Sequence, residues 1–230
     1  RPQRRRQRVR RALVTGASSG IGQAIGLALQ DTGVEVIGLA RRESPFGTSL
    51  LCDLQDRAQI EVAVREAGDI DILVNAAGLN PRSLSLDAWD RTMAVNLTAP
   101  FLLARGLAPG MKQRGWGRIL NIASLQATLA FPMGMPYGAS KGGLVQLTRA
   151  MAEHWAPVTA NAISPGFFRT PLTAPVFQHP ELVERLASRT VLKRNGELHE
   201  LQGAALFLCS EASSYVTGQV LNVDGGFTSS

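Results

Sequence analysis

The stretch Ala12-Leu13-Val14-Thr15-Gly16-Ala17-Ser18-Ser19-Gly20-Ile21-Gly22 decides the fold of this 230-residue chain. A short apolar run, a glycine-containing turn and the helical pattern of residues 23–29 predict a strand, a tight turn and a helix. Glycines at such a turn let the backbone approach a pyrophosphate, and the first helix amides then point at it. The spacing is G-x-x-x-G-x-G, which differs from the G-x-G-x-x-G fingerprint. A turn that only joins strand to helix is the alternative.

Apolar strand-like runs alternate with helical patterns along the rest of the chain. This alternation predicts a single-domain α/β protein with a Rossmann-like doubly wound sheet of seven parallel strands flanked by helices. Ligands of such sheets bind beyond the carboxyl ends of the strands. The predicted strands are 12–15, 34–39, 49–53, 72–75, 118–123, 159–164 and 219–223. The predicted helices are 21–31, 56–67, 88–113, 137–154, 176–189 and 198–209.

Composition divides the chain into a basic leader, residues 1–11, and a domain, residues 12–230. The net charge is +6 and the leader holds seven arginines and no acid, so the domain carries 6 − 7 = −1. A basic run can contact nucleic acid or anionic lipid. The alternative is a solvated, flexible leader that merges into the first strand. We therefore expect no nucleic-acid partner for the domain.

Two further features of the composition concern location. No apolar stretch approaches the eighteen residues of a membrane span, so we expect no membrane partner. Cys52 and Cys209 form no spaced metal or redox motif, and we expect no metal site. Both cysteines are expected to pack as small apolar side chains in a reducing cytoplasm.

Tyr137 and Lys141 are four residues apart, which places them on one face of the predicted helix, and Ser124 precedes them by thirteen positions. An ammonium group beside a phenol favours the phenolate and lowers its pKa by roughly one to three units. Such a phenol exchanges protons near neutral pH. The alternative is that the helix carries this pair by chance.

These residues, taken in order, resemble the short-chain dehydrogenase/reductase family. The resemblance covers most of the chain and rests on the Thr15–Gly22 loop, Asn75-Ala76-Ala77-Gly78, Asn96, Ser124, Tyr137 with Lys141, Pro165-Gly166 with Thr170, and Val223-Asp224-Gly225-Gly226.

The resemblance implies catalytic roles for four side chains. Tyr137 would be the general acid/base, and Lys141 would lower its pKa and bind the nicotinamide ribose. Ser124 would hold the substrate oxygen; its alternative role is to cap a loop. Asn96 would bind a water that links Lys141 to solvent, and its alternative role is to kink a helix.

The resemblance also implies an NAD(P)(H) site. Ala40 stands where an acid would bind the ribose of NAD, and Arg41 follows it, which favours NADP(H) with NAD(H) also allowed. Asp53 would accept a bond from adenine or cap the next helix, and Asn75 would mainly brace the central strands. The expected cofactor-binding residues are Gly16, Ser18, Ser19, Gly20, Ile21, Gly22, Arg41, Asp53, Leu54, Asn75, Ala76, Gly78, Tyr137, Lys141, Pro165, Gly166, Phe168 and Thr170.

The implied reaction interconverts a ketone and a secondary alcohol. Ile119–Thr148 looks most like sugar-acid or polyol dehydrogenases of the gluconate 5-dehydrogenase type, and a 3-oxoacyl-carrier-protein reductase is the alternative. A non-catalytic cofactor-binding regulator is a further alternative. Segments 125–136 and 167–197 are expected to line the pocket for this small carbonyl or alcohol substrate. The apolar faces of helices 99–111 and 142–155 would pack only within the core or also against a partner chain, and the resemblance implies a dimer or tetramer.

Three connections are shorter than the family pattern. They are Arg41–Thr48, Pro81–Leu86 and Ala156-Pro157-Val158. Parallel neighbouring strands usually need a connection of a dozen residues or more. The first of these segments, between the second and third strands, therefore leaves the adenine edge of the cofactor site the least defined.

Overall fold

The computed structural model describes residues 8–131 and 134–229, and seven parallel strands form one sheet in the order β3-β2-β1-β4-β5-β6-β7. The predicted Rossmann-like doubly wound α/β fold is confirmed. Predicted leader residues 1–7 and pocket residues 132–133 lie outside the described residues. The strands are β1 Arg11–Thr15, β2 Glu35–Ala40, β3 Thr48–Leu51, β4 Ile72–Asn75, β5 Arg118–Ile122, β6 Thr159–Pro165 and β7 Val220–Val223.

In the part of the chain that the structure describes, eight α-helices connect the strands, and two predicted helices prove to be interrupted. The predicted helix 88–113 is α3 and α4 joined by a π-helical turn, Ala94–Thr98, and the predicted helix 176–189 breaks at Gln178 and His179. The helices are α1 Gly20–Asp31, α2 Arg57–Ala67, α3 Leu86–Met93, α4 Ala99–Gln113, α5 Met135–His154, α6 Ala174–Phe177, α7 Pro180–Arg189 and α8 His199–Leu208.

Strand β1 shows why the central strands are apolar without alternation. Leu13 belongs to the core on one face of the sheet, with α2 and α4, whereas Ala12 and Val14 belong to the core on the other face, with α1 and α8. A parallel sheet covered on both faces needs apolar residues at successive positions. The polar residues of the site therefore collect where the strands end.

The short β2–β3 connection has a side chain in place of a crossover helix. Phe46 is 5% exposed and packs against the α1 side of the sheet, where any side chain at Gly26 would overlap its ring. Gly47, at φ +56°, then returns the chain to β3. Burial of one aromatic ring supplies the apolar cover that a helix would otherwise give.

The predicted boundary of the leader at residue 11 is too late. Arg11 begins β1, and its N–H donates to Asp71 Oδ2 at 3.0 Å. Arg8 also bonds Asp71, and the guanidinium of Arg10 stacks 3.7 Å from the centroid of the Trp116 ring. These contacts attach residues 8–11 to the amino-terminal edge of the sheet, opposite the predicted site.

Within residues 8–131 and 134–229, no helix combines the length and apolar character needed to span a membrane. The same ranges contain no group of three or more His, Cys, Asp or Glu side chains placed to hold a metal ion.

Candidate active site

A cavity of about 380 Å³ opens at the carboxyl ends of the strands. Most of the residues expected to bind cofactor or substrate meet in its wall, although they come from widely separated parts of the chain. These predicted residues line the cavity: Gly16, Ser18, Ser19, Gly20, Ile21, Gly22, Arg41, Asp53, Leu54, Ala76, Gly78, Ser124, Tyr137, Lys141, Pro165, Gly166, Phe168 and Thr170.

The glycine loop has the geometry of an anion cradle. A Cβ at Gly22 would lie 2.7 Å from Thr15 O, so only glycine lets α1 begin this close to β1. Among the described residues, the hydroxyl of the N-cap Ser19 makes no capping hydrogen bond, and the first turn of α1 is uncharged. The first amides of α1 are therefore free to bind an anion, which fits the pyrophosphate of a dinucleotide.

The end of the cavity that lies beyond β2 and β3 carries two cations and one acid. Arg41 and Arg42 follow the buried Ala40 at the end of β2, and both are exposed. Asp53 Oδ1 accepts the N–H of Gln55 at 3.0 Å. The alternative role of Asp53 as a helix cap is wrong, because Asp56 caps α2 by accepting two backbone N–H bonds.

Tyr137 and Ser124 form the polar centre of the cavity. Burial raises the pKa of Tyr137, which is 8% exposed, and the neighbouring Ser124 hydroxyl opposes that rise. Ser124 follows β5, and its Oγ also accepts the N–H of Gln126 at 3.1 Å. Both expected roles of Ser124 are therefore compatible, since it caps the short turn 125–127 and contacts the phenol.

Lys141 lies beside Tyr137 and Ser124, as expected, but the pKa of Tyr137 does not shift in the expected direction. Its Nζ donates to Ile122 O at 2.6 Å and lies 5.6 Å from the centroid of the Tyr137 ring. Burial lowers the pKa of Lys141 to about 8. The predicted lowering of the Tyr137 pKa is wrong for the protein alone, because the cost of burying a phenolate outweighs the favourable contacts.

Asn96 acts through its neighbours and is not part of the described cavity wall. Its side chain accepts from Leu79 N at 2.8 Å and donates to Leu79 O and to Ser140 Oγ. This side chain lies in the π-helical turn and ties it to the loop after β4 and to α5. Asn96 therefore stands where a π-helical turn interrupts the helix, and such turns are frequent at functional sites. The water between Asn96 and Lys141 stays a prediction.

Asn75 was expected among the cofactor-binding residues; it is 2% exposed and outside the described cavity wall, so its contact with a cofactor stays a prediction. Its Nδ2 donates to Asn121 Oδ1 at 2.8 Å, and Asn121 donates to Thr148 Oγ1. The amide chain joins β4, β5 and α5. These hydrogen bonds agree with the expected role of Asn75 in bracing the central strands.

The substrate end of the cavity contains residues that sequence reasoning missed. Asn80 and Arg82 follow the Asn75–Gly78 turn at the edge where ligands bind, and that position was the available signal. The missed polar residues that line the cavity are Asn80 and Arg82 at this end, and Arg42 and Gln55 near Asp53 at the other end. Gln126 and Thr173 also line the cavity, and both fall within the predicted pocket segments 125–136 and 167–197.

Only part of the two predicted pocket segments lines this end. Leu125, Phe131, Phe167, Leu172 and Val176 form its apolar wall. The described wall stops at residue 176, so residues 177–197 do not contribute to it. The reason is that α7 lies at the surface, where each of its residues is at least partly exposed.

Comparisons with known proteins agree with this geometry. A sequence profile described as enoyl-(acyl carrier protein) reductase matches residues 16–228. The gluconate 5-dehydrogenase of Gluconobacter oxydans is 39% identical, with 95% of this chain and 94% of that protein aligned. The galactitol 2-dehydrogenase (L-tagatose-forming) of Cereibacter sphaeroides is 38% identical, with 94% of each chain aligned. A gluconate 5-dehydrogenase from Burkholderia cenocepacia, solved with NADP and tartrate, superposes with a TM-score of 0.91 at 38% identity over 96% of each chain.

Proposed function

Because the chain belongs to the short-chain dehydrogenase/reductase family of NAD(P)-dependent oxidoreductases, we propose that it interconverts a ketone and a secondary alcohol with NADP(H) as preferred cofactor. The observation that carries the proposal is that the buried Tyr137 lies with Ser124 and Lys141 in the wall of a cavity that begins at the glycine loop.

In this proposal Tyr137 protonates the carbonyl oxygen during reduction and removes the hydroxyl proton during oxidation. Ser124 donates a hydrogen bond to the same oxygen and fixes its position against the phenol. Lys141 binds the ribose and supplies positive charge. The nicotinamide, when bound, supplies or accepts the hydride. A phenol with a raised pKa is protonated at neutral pH, which is the form that reduction needs.

The charge of the cavity wall supports NADP(H). Its described residues include the cations Arg41, Arg42, Arg82 and Lys141, whereas Asp53 is the one carboxylate among them. Guanidinium groups grip phosphate well, so Arg41 and Arg42 would hold the 2′-phosphate. A related enzyme of known structure has NADP bound. NAD(H) would bind more weakly because it forgoes these contacts.

We further propose that the substrate is a small hydroxylated acid or polyol of the gluconate type. The names of the relatives, which act on gluconate and galactitol, support this class. Arg82 lines the substrate end and would pair with a carboxylate of the substrate. A 3-oxoacyl-carrier-protein reductase is the second candidate, favoured by the description of the matching profile.

The cellular location and the oligomeric state are also proposals. Cys52 and Cys209 are free and buried, which suits a reducing cytoplasm. Exposed apolar side chains on α3 and α4, among them Trp89 and Phe101, support assembly as a homodimer or homotetramer.

A screen tests the proposed function. Purified protein is assayed with NADPH and with NADH against 5-keto-D-gluconate, other keto acids, keto sugars and a 3-oxoacyl thioester, at the nicotinamide absorbance. The proposal is supported if a keto acid or keto sugar is reduced faster than the thioester, and faster with NADPH than with NADH. Preferred reduction of the thioester would favour the second candidate, and no reduction of any ketone would contradict both.

A further inference from the structure

The motif Val223-Asp224-Gly225-Gly226 has no part in the proposed proton transfer, yet its turn is strongly constrained. Oδ1 of Asp224 accepts Gly226 N at 2.9 Å, and Oδ2 accepts both the N–H and the hydroxyl of Thr228. Gly225 and Gly226 lie at φ +64° and +80°, a region that favours glycine. The turn therefore holds Phe227, between these anchors, in one position.

This turn packs directly against the loop that carries one wall of the cavity. Gly166 N donates to Val223 O at 2.9 Å, and a Cβ at Gly166 would lie 2.8 Å from the Cα of Asp224. The two backbones are thus in contact, and Phe167, the next residue, emerges beside the turn. Phe167 lines the cavity, whereas Phe227 is 3% exposed and lies behind it.

Three phenylalanine rings connect the turn to the substrate end. The centroids of Phe227 and Phe167 are 5.6 Å apart, and those of Phe167 and Phe131 are 6.3 Å apart, with interplanar angles of 54° and 57°. Both separations are typical of favourable aromatic pairs. The guanidinium of Arg189, the last residue of α7, lies 4.2 Å from the centroid of the Phe227 ring.

We propose that Phe227, held by the Asp224 turn, is a positioning residue that sets substrate selectivity by supporting the ring of Phe167. The inference rests on the proposed function, because it concerns the substrate of that reaction. A smaller side chain at 227 would let the Phe167 ring move back, which widens the substrate end. The glycine loop and Arg41 have separate supports, so cofactor binding should not change.

Kinetics with a matched pair of methyl ketones test this. Phe227→Leu and the control Phe207→Leu, an exposed position on α8, are compared with the unchanged protein, using NADPH with 2-butanone and 4-phenyl-2-butanone. In Phe227→Leu we expect the ratio of kcat/KM for the wider to the narrower ketone to rise at least about fivefold, with the NADPH Kd within about twofold. The proposal would be overturned if kcat/KM changed equally for both ketones in Phe227→Leu, or if the ratio of kcat/KM rose as much in Phe207→Leu.

A second measurement does not need turnover. The eight phenylalanines are replaced by 4-fluorophenylalanine, and the ¹⁹F signal of Phe167 is assigned from its loss in Phe167→Leu. We expect Phe227→Leu to shift that signal and Phe207→Leu to leave it in place. An unmoved Phe167 signal would overturn the proposal. A protein that shows this shift but reduces no ketone contradicts the proposed function alone.

Discussion

Nζ of Lys141 donates a hydrogen bond to the backbone oxygen of Ile122, 2.6 Å away. Ile122 ends β5, and Ser124 follows two residues later. This bond therefore joins the helix that carries Tyr137 and Lys141 to the end of the strand that precedes Ser124. The three side chains of the proposed reaction are therefore positioned together. A carbonyl acceptor also favours the ammonium form of Lys141, whereas burial favours the neutral amine and lowers the pKa to about 8.

The affinity for NADP(H) should depend on pH through Lys141. Burial lowers its pKa to about 8, so the side chain is charged below that pH and becomes neutral above it. An anionic cofactor binds the charged form better, and NADPH Kd should therefore rise as the pH increases through about 8. Fluorescence titration with NADPH between pH 6 and 9.5 measures this. Lys141→Met should bind more weakly at low pH and lose this pH dependence, and a retained dependence would assign it to another group.

The choice of cofactor should depend on Arg41. Replacement by aspartate removes a phosphate ligand and adds a repelling charge, so Arg41→Asp should raise the Kd of NADPH by about ten- to a hundredfold. The Kd of NADH should change by less than about threefold, since NADH lacks the 2′-phosphate. Titration with both cofactors, with Arg65→Asp on α2 as a charge-matched control, checks this. An equal loss of affinity for NADPH and for NADH in Arg41→Asp would exclude a contact between Arg41 and the 2′-phosphate.

The β2–β3 connection should depend on Phe46. Truncation to alanine removes the ring that covers one face of the sheet, so Phe46→Ala should lower the free energy of unfolding by roughly 3 to 5 kcal/mol. Phe207→Ala, at a 40% exposed position, should lower it by about 1 kcal/mol or less. Denaturant unfolding of both variants gives the comparison. Similar decreases in the free energy of unfolding of the two variants would mean that the Phe46 ring does not take the place of a crossover helix.

Much of the fold could be predicted from the sequence because local signals agree with it. The apolar runs of β1 and β4, and the glycine turn between β1 and α1, follow from packing and backbone geometry within a few residues. The resemblance to the short-chain dehydrogenase/reductase family then supplied most of the site residues, and they lie on turns at one edge because parallel strands bring their carboxyl ends together there.

The remainder depended on contacts between distant parts of the chain. The sequence shows a short β2–β3 connection, but the packing of Phe46 on Gly26 needs the folded sheet. The spacing of Tyr137 and Lys141 suggested a lowered phenol pKa, whereas burial of the phenol raises that pKa, and spacing does not reveal burial. The support of Phe167 by Phe227 joins residues sixty positions apart, with no local signal.

The most direct test of the proposed chemistry is the Tyr137→Phe variant, assayed for both turnover and NADPH binding with a ketone found in the screen. The change removes one hydroxyl and keeps the ring, so the Kd of NADPH should stay within about threefold while kcat falls by about 10² to 10⁴. Retained kcat with unchanged NADPH affinity would show that another group transfers the proton and would contradict the proposed role of Tyr137.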